Sequence, residues 1–332
     1  MDLLLNDWLE TPVWLWLVFM ATVLALLVFD LGVLNRKDHE IGVPESLRLS
    51  LFYIGAGLLF GLWVWWQLGA TDAVNYYTGF LVEKSLSLDN VFVISLIFTF
   101  LGVPRIYQHR VLFWGILGVI VLRALMIGLG AALVARYAWM LYLFGAFLIV
   151  TGLRMLFVVE HEVDIGRTRV LAFLRHRLRI TPRLYGHAFF VRAPHPRHGR
   201  PALWVTPLFL ALCLVETVDL IFAVDSVPAI FAITTDPYVV YTSNIFAILG
   251  LRALYFALAA VIHRFHYLKY ALALVLVFIG LKIFLGDFVF GGKVPPLLSL
   301  AVTFALLAGG VLFSLWKTRG DAAARASARR RR

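Results

Sequence analysis

The chain has 332 residues, of which 62% are hydrophobic and 15% charged, with a mean hydropathy of +0.88. That is far too apolar for a soluble domain, and the apolar residues gather into runs long enough to cross a bilayer, so the chain reads as a polytopic membrane protein. The formal net charge of +11 does not point to nucleic acid, because the basic residues sit between the apolar runs and in the C-terminal tail, where membrane orientation calls for them.

Runs of about 20 apolar residues predict nine helices, near 12–34, 47–67, 73–101, 109–133, 137–157, 203–233, 239–262, 268–286 and 296–316. The expected fold is therefore all-α, a single transmembrane bundle over 1–332. Before the first run stand Asp2, Asp7 and Glu10 without a Lys or Arg, the wrong charge for a cleaved signal peptide, so this run is read as a retained span. Near its end lies Asp30, ahead of Asn35-Arg36-Lys37, as an interfacial acid or a gate ligand. The third span carries Glu83-Lys84-Ser85-Leu86-Ser87-Leu88-Asp89-Asn90. Residues 158–202 form the one long loop, rich in Arg, His and Pro; orientation and a solvated linker explain it, with a lipid-headgroup element as the functional alternative. The sixth span carries Glu216-Thr217-Val218-Asp219 and Phe222-Ala223-Val224-Asp225-Ser226-Val227-Pro228. Cys213, the single cysteine, excludes an intrachain disulfide and thiol-pair redox chemistry. The tail 317–332 is arginine-rich.

The connecting segments alternate in charge. One set holds Arg36, Lys37 and Arg48, then Arg105 and Arg110, the arginines from Arg167 to Arg200, Arg264 with Lys269, and the tail; the other set holds only Arg136 and Lys293. The positive-inside rule then places the N-terminus outside and the C-terminus in the cytoplasm, as an odd number of spans requires. The expected location is the plasma (inner) membrane, crossed many times, with the lipid bilayer as its medium.

Carboxylates in apolar spans carry the chemical signal. Each ionised side chain at bilayer depth costs about 2.5–3.5 kcal/mol even on the lenient insertion scale, so five left unpaired would cost about 12–18 kcal/mol. A cation is the natural counter-charge. On a straight helix Glu216 and Asp219 share a face while Asp225 lies about 180° from Glu216; Pro228 predicts a helix break near Asp225–Pro228 that would swing Asp225 inward. Glu83 and Asp89 lie about 120° apart by the same count, and Ser85, Ser87 and Asn90 could support local unwinding. Carboxylates with Asn and Ser oxygens suit a hard divalent ion such as Mg²⁺, Ca²⁺ or Mn²⁺, and proton or sodium coupling stays open with the same acids. The candidate ligands are Glu83, Asp89, Asn90, Glu216, Asp219, Asp225 and Ser226, with Asp30. The bland alternative is structural ion pairing: Lys84 with Glu83, and Arg123 or Arg252 with an aspartate. No nucleophile–base pair or cofactor motif marks an enzyme, and no organic cofactor is expected.

An internal repeat organises these acids. Residues 73–157 and 203–287 read as its two copies, and within them the matching stretches begin, from 83 and from 219, with an acidic pair six apart, Glu83 with Asp89 and Asp219 with Asp225. Each continues through Leu-Arg-Ala-Leu, at Leu122–Leu125 and Leu251–Leu254, and closes on Gly152-Leu153-Arg154 or Gly280-Leu281-Lys282. In the topology above the halves are inverted copies, an arrangement that points to a transporter with its substrate at the repeat interface.

At Asp30 through Asn35-Arg36-Lys37, at Glu83–Asn90, and at Glu216–Asp219 with Phe222–Ala229, the chain resembles the TerC family of integral membrane proteins. The resemblance spans most of 15–290. It implies a multi-helix fold related to LysE-type exporters, with Mn²⁺ export as the activity and Ca²⁺ or Mg²⁺ as other cargo. It also implies that the acids at 83, 89, 216, 219 and 225 match the family's proposed metal-binding set. Older labels of the family, tellurite resistance and redox modulation, supply the alternative: a non-transporting membrane modulator or scaffold acting through the basic loop. The oligomeric state is not legible in the sequence.

Overall fold

The computed structural model describes residues 7–9, 11–30, 42–157, 168–194, 201–259, 268–289 and 294–330. The expected basic segments around Asn35-Arg36-Lys37, Arg167 and Arg264 lie outside the described residues, as do the side chains of Asp89 and Arg252.

After a two-residue ladder of β1 (Asp7–Trp8) with β2 (Thr11–Pro12), the described residues are mostly helical. The helices are α1 (Val13–Phe29), α2 (Val43–Leu68), α3 (Ala70–Phe100), α4 (Arg105–Arg136), α5 (Met140–Phe157), the short α6 (Arg169–Arg177), α7 (Pro207–Ile233), α8 (Pro237–Leu249), α9 (Leu251–Ala259), α10 (Leu268–Val289) and α11 (Pro296–Arg330). An antiparallel hairpin, β3 (Phe190–Pro194) with β4 (Pro201–Val205), lies between α6 and α7. Among the described residues six helices are long and apolar enough to cross a membrane: α2, α4, α5, α7, α10 and α11. The other three expected spans fall on α1 and α8, which are apolar but shorter, and on α3, whose 31 residues include Asp72, Glu83, Lys84 and Asp89. Large apolar side chains cover the outside: Leu59 is 67% exposed, Leu312 68% and Trp66 80%. Water would not tolerate so continuous an apolar surface, whereas lipid does.

The described parts of the loop 158–202 are built on rather than draped over the bundle. Leu171 of α6 is buried in one cluster with Phe98 of α3, Leu112 of α4 and Leu208 of α7, and Ile180, Leu184 and Phe189 pack against it.

Two helices sit at the centre. α3 packs against α2, α7, α8 and α11, and α7 against α3, α4, α5 and α10. Beside them α5 and α10 run antiparallel with almost nothing between their backbones. A Cβ on Gly152 would lie 2.6 Å from the Ala273 carbonyl oxygen and 2.7 Å from Val277; one on Gly280 would lie 2.6 Å from the Gly145 carbonyl oxygen and 2.8 Å from Ile149. Glycines permit close packing elsewhere as well, Gly57 beneath Phe80 and Gly130 beneath Phe231.

The expected helix break is corrected. α7 continues through Pro228 to Ile233; proline deprives only the Val224 carbonyl of its donor, and burial of Ser226 through Ile233 among neighbouring helices holds the last turns. The break lies instead in the next span, at Gly250, which separates α8 from α9. There a Cβ would lie 2.8 Å from Lys84 Nζ and 2.9 Å from Tyr53 Cβ, so only glycine lets α2, α3 and this helix approach together.

Candidate functional site

Glu83 and Asn90 on α3, Arg123 on α4, Asp219 and Ser226 on α7 and Asn244 on α8 form one buried polar cluster, each 4% exposed or less. Its hub is Arg123. Nε and Nη2 donate to the two carboxylate oxygens of Asp219 at 3.3 and 3.2 Å, and Nη1 faces Glu83, Ser226 Oγ at 2.9 Å and Asn244 Oδ1 at 3.3 Å. Asn244 Nδ2 donates to the second Glu83 oxygen at 3.0 Å, and Asn90 Nδ2 to Asp219 at 3.3 Å. Arg123 thus stands buried between two buried carboxylates drawn from different helices, the compensation that burial of charge requires.

Against this cluster lies a cavity of about 40 Å³ lined by Asn90, Arg123, Asp225 and Ser226 on its polar side and by Leu86, Met155, Phe222 and Leu276 on its apolar side. One water needs about 10–15 Å³ of such space, so the cavity has room for a small ligand or a few waters. Asn90 Oδ1 is buried without a hydrogen-bond partner, and Asp225, partly buried, accepts from Thr151 at the long distance of 3.5 Å. The oxygens bordering this space are a carboxylate, an amide and a hydroxyl, all hard donors.

The other expected ligands fall elsewhere. Glu216 lies outside this cavity, its carboxylate in the space that a side chain at Gly118 of α4 would fill, with Oε2 buried and unpartnered. Asp30 is buried at the C-terminal cap of α1. Among the described residues no three His, Cys, Asp or Glu side chains converge as a ready metal cage.

Lys84 does not pair with Glu83, as the bland reading would have it. Its Nζ donates to the Ala247 carbonyl at 2.9 Å, placing a positive charge at the C-terminal end of α8, where the helix dipole is negative. Lys84→Met should therefore lower stability by about 1.5–3 kcal/mol, the worth of a hydrogen bond to a charged group, visible as a reduced unfolding midpoint in detergent; an unchanged midpoint would remove Lys84 from the account of the Gly250 break. Asn244 was not among the expected site residues. An amide in an otherwise apolar run is the same kind of signal as the acids, only weaker.

A family model described as the integral membrane protein TerC family matches residues 68–322. An uncharacterized membrane protein of Rickettsia bellii is 48% identical over 300 residues, covering 90% of this chain and 96% of its own length. An uncharacterized membrane protein of Myxococcus xanthus is 47% identical over 305 residues, covering 92% and 93%. The Escherichia coli K12 protein named putative membrane-bound redox modulator Alx is 44% identical over 315 residues, covering 92% and 95%. No solved structure matches. With a match over most of its length and relatives this similar end to end, the chain belongs to the TerC family of integral membrane proteins.

Proposed function

We propose that this protein exports a divalent metal cation, Mn²⁺ foremost, from the cytoplasm across the inner membrane. The observation that carries the reading is the cavity inside the helix bundle, bordered by Asp225, Ser226 and an Asn90 oxygen that lacks any donor. An ionisable group at that depth marks an ion pathway by default, and an all-oxygen donor set favours Mn²⁺, Ca²⁺ or Mg²⁺ over softer metals. Among these three, manganese follows from the family resemblance. Ca²⁺ and Mg²⁺ are the competing cargo.

The inverted repeat belongs to the same proposal, with nine spans, an outer N-terminus and a cytoplasmic C-terminus. It is supported by how the two halves touch. Gly145, Ile149 and Gly152 stand on α5 as Ala273, Val277 and Gly280 stand on α10, and Gly152 and Gly280 meet the opposite helix at nearly the same distances. The halves also exchange partners, α3 packing on α8 and α4 on α7, as a two-fold axis lying in the membrane plane would require. Such an axis passes between the repeats, where transporters of this type hold their substrate.

The redox wording in the name of the Escherichia coli relative finds little to act through here. The chain's one thiol, Cys213, is half-buried, and a disulfide needs two.

Purified protein in liposomes should move Mn²⁺ down an imposed gradient, and Asp225→Asn should slow that flux by at least about tenfold, the scale of losing one charged ligand interaction of about 1.5–3 kcal/mol. Wild-type liposomes no more permeable to Mn²⁺ than empty ones would overturn the proposal.

A further inference from the structure

Arg123 puts a positive charge on the carboxylates that a cation path would use. We propose that Arg123 is a tethered counter-ion: it holds Glu83 and Asp219 between transport events, trades places with a divalent cation that has entered at Asp225 and Asn90 so that the cation takes the Glu83 and Asp219 oxygens, and expels the cation when it returns. This rests on the exporter reading above and adds the device by which the same site lets go of its cargo.

Three observations carry it. First, the guanidinium is 1% exposed and reaches both carboxylates at once, so no water-filled space separates it from the oxygens. A divalent ion cannot bind those oxygens with the guanidinium still on them, because like charges a few ångströms apart repel strongly where the dielectric is low. Second, the contacts of Arg123 are crowded at one nitrogen. Nη1 has two protons and faces three acceptors, Glu83, Ser226 and Asn244, so one of the three is always left without it. Third, the guanidinium has somewhere to go. The cavity at its side is bordered by Asp225 and by the partnerless Asn90 Oδ1, a carboxylate and an amide oxygen that together would receive a displaced guanidinium. A permanent strut needs neither three acceptors competing for Nη1 nor an adjoining acceptor-lined space.

The geometry also assigns a direction to the effect. A resident cation that competes for the ligands weakens equilibrium binding and speeds release, so removing it should separate affinity from turnover. The test uses the full-length protein, Mn²⁺ alone as the probe, binding in detergent and flux in liposomes. Arg123→Gln should bind Mn²⁺ about tenfold more tightly than wild type and transport it about tenfold more slowly, a coupling of ordinary allosteric size. Because that variant leaves two buried carboxylates without their cation, a charge-balanced comparison accompanies it: Arg123→Met with Glu83→Gln should bind Mn²⁺ more tightly than Glu83→Gln alone. Arg123→Lys, which keeps the charge, should bind within a few-fold of wild type. Equal or weaker binding in both arginine-deleted proteins, with wild-type flux intact, makes Arg123 a strut and overturns this inference while leaving the exporter reading standing. Wild-type protein that neither binds nor carries Mn²⁺ overturns both.

Discussion

Asp219→Asn should cost this protein about 3–5 kcal/mol of stability, the penalty for stripping one partner from a buried ion pair. Asp219 accepts from two nitrogens of Arg123 and from Asn90. Asparagine keeps one acceptor oxygen but no charge, so the guanidinium would be left with Glu83 as its only direct carboxylate among the described residues, and Asn90 would lose its charged partner. Asp225→Asn is the natural control. Its carboxylate accepts a single long hydrogen bond from Thr151, so neutralising it should change stability by less than about 1 kcal/mol. Unfolding titrations in detergent should therefore separate two aspartates six residues apart on the same helix, one holding the bundle together and the other free to meet a ligand. Equal losses for the two would contradict the division of labour drawn from their partners.

The sequence shows that these carboxylates are anomalous but not which of them are already compensated. Apolar run length finds the helices because lipid demands about 20 residues of continuous apolar surface, and the places of α2, α4, α5, α7, α10 and α11 follow from that alone. Spacing on a straight helix could say that Glu216 and Asp219 share a face, yet their partners come from elsewhere: Gly118 and Arg123, both on α4. The link from Glu83 to Arg123, Asp219 and Asn244 joins four helices, and no local pattern encodes which faces the tertiary packing will oppose. Arg123 was visible as an apolar-run arginine and as a marker of the repeat, and its role as hub depends on the packing of α4 against α7. The misplaced helix break has a similar cause. Proline was the stronger local signal, but Pro228 sits in a buried last stretch of α7 that tolerates it, whereas Gly250 yields where Tyr53 and Lys84 crowd the backbone.

Gly152→Ala and Gly280→Ala should each destabilise the protein by about 3 kcal/mol, the upper end of what overpacking a close contact costs, and by similar amounts. The added methyl at 152 meets the Ala273 carbonyl oxygen at 2.6 Å and the Val277 nitrogen at 3.1 Å; at 280 it meets the Gly145 carbonyl oxygen at 2.6 Å and the Ile149 nitrogen at 3.1 Å. These obstacles are backbone atoms of an opposing helix, which no rotamer change can move aside, so α5 and α10 would have to separate. Gly309 on α11 has nothing within 4 Å of a built Cβ; there the same substitution should be neutral or stabilising by about 0.5–1 kcal/mol, the helix-interior preference for alanine. The equality of the first two losses is the informative part. Equal losses follow from equal obstacles, and a two-fold axis between α5 and α10 is what would make the obstacles on two different helices equal; under the proposed inverted repeat this glycine contact is the place about which the two halves would rock. Losses differing by several-fold would refute that symmetry, and matched losses accompanied by a matched slowing of Mn²⁺ flux would locate the pivot of the transport cycle at the contact of Gly152 and Gly280 with the opposing backbones.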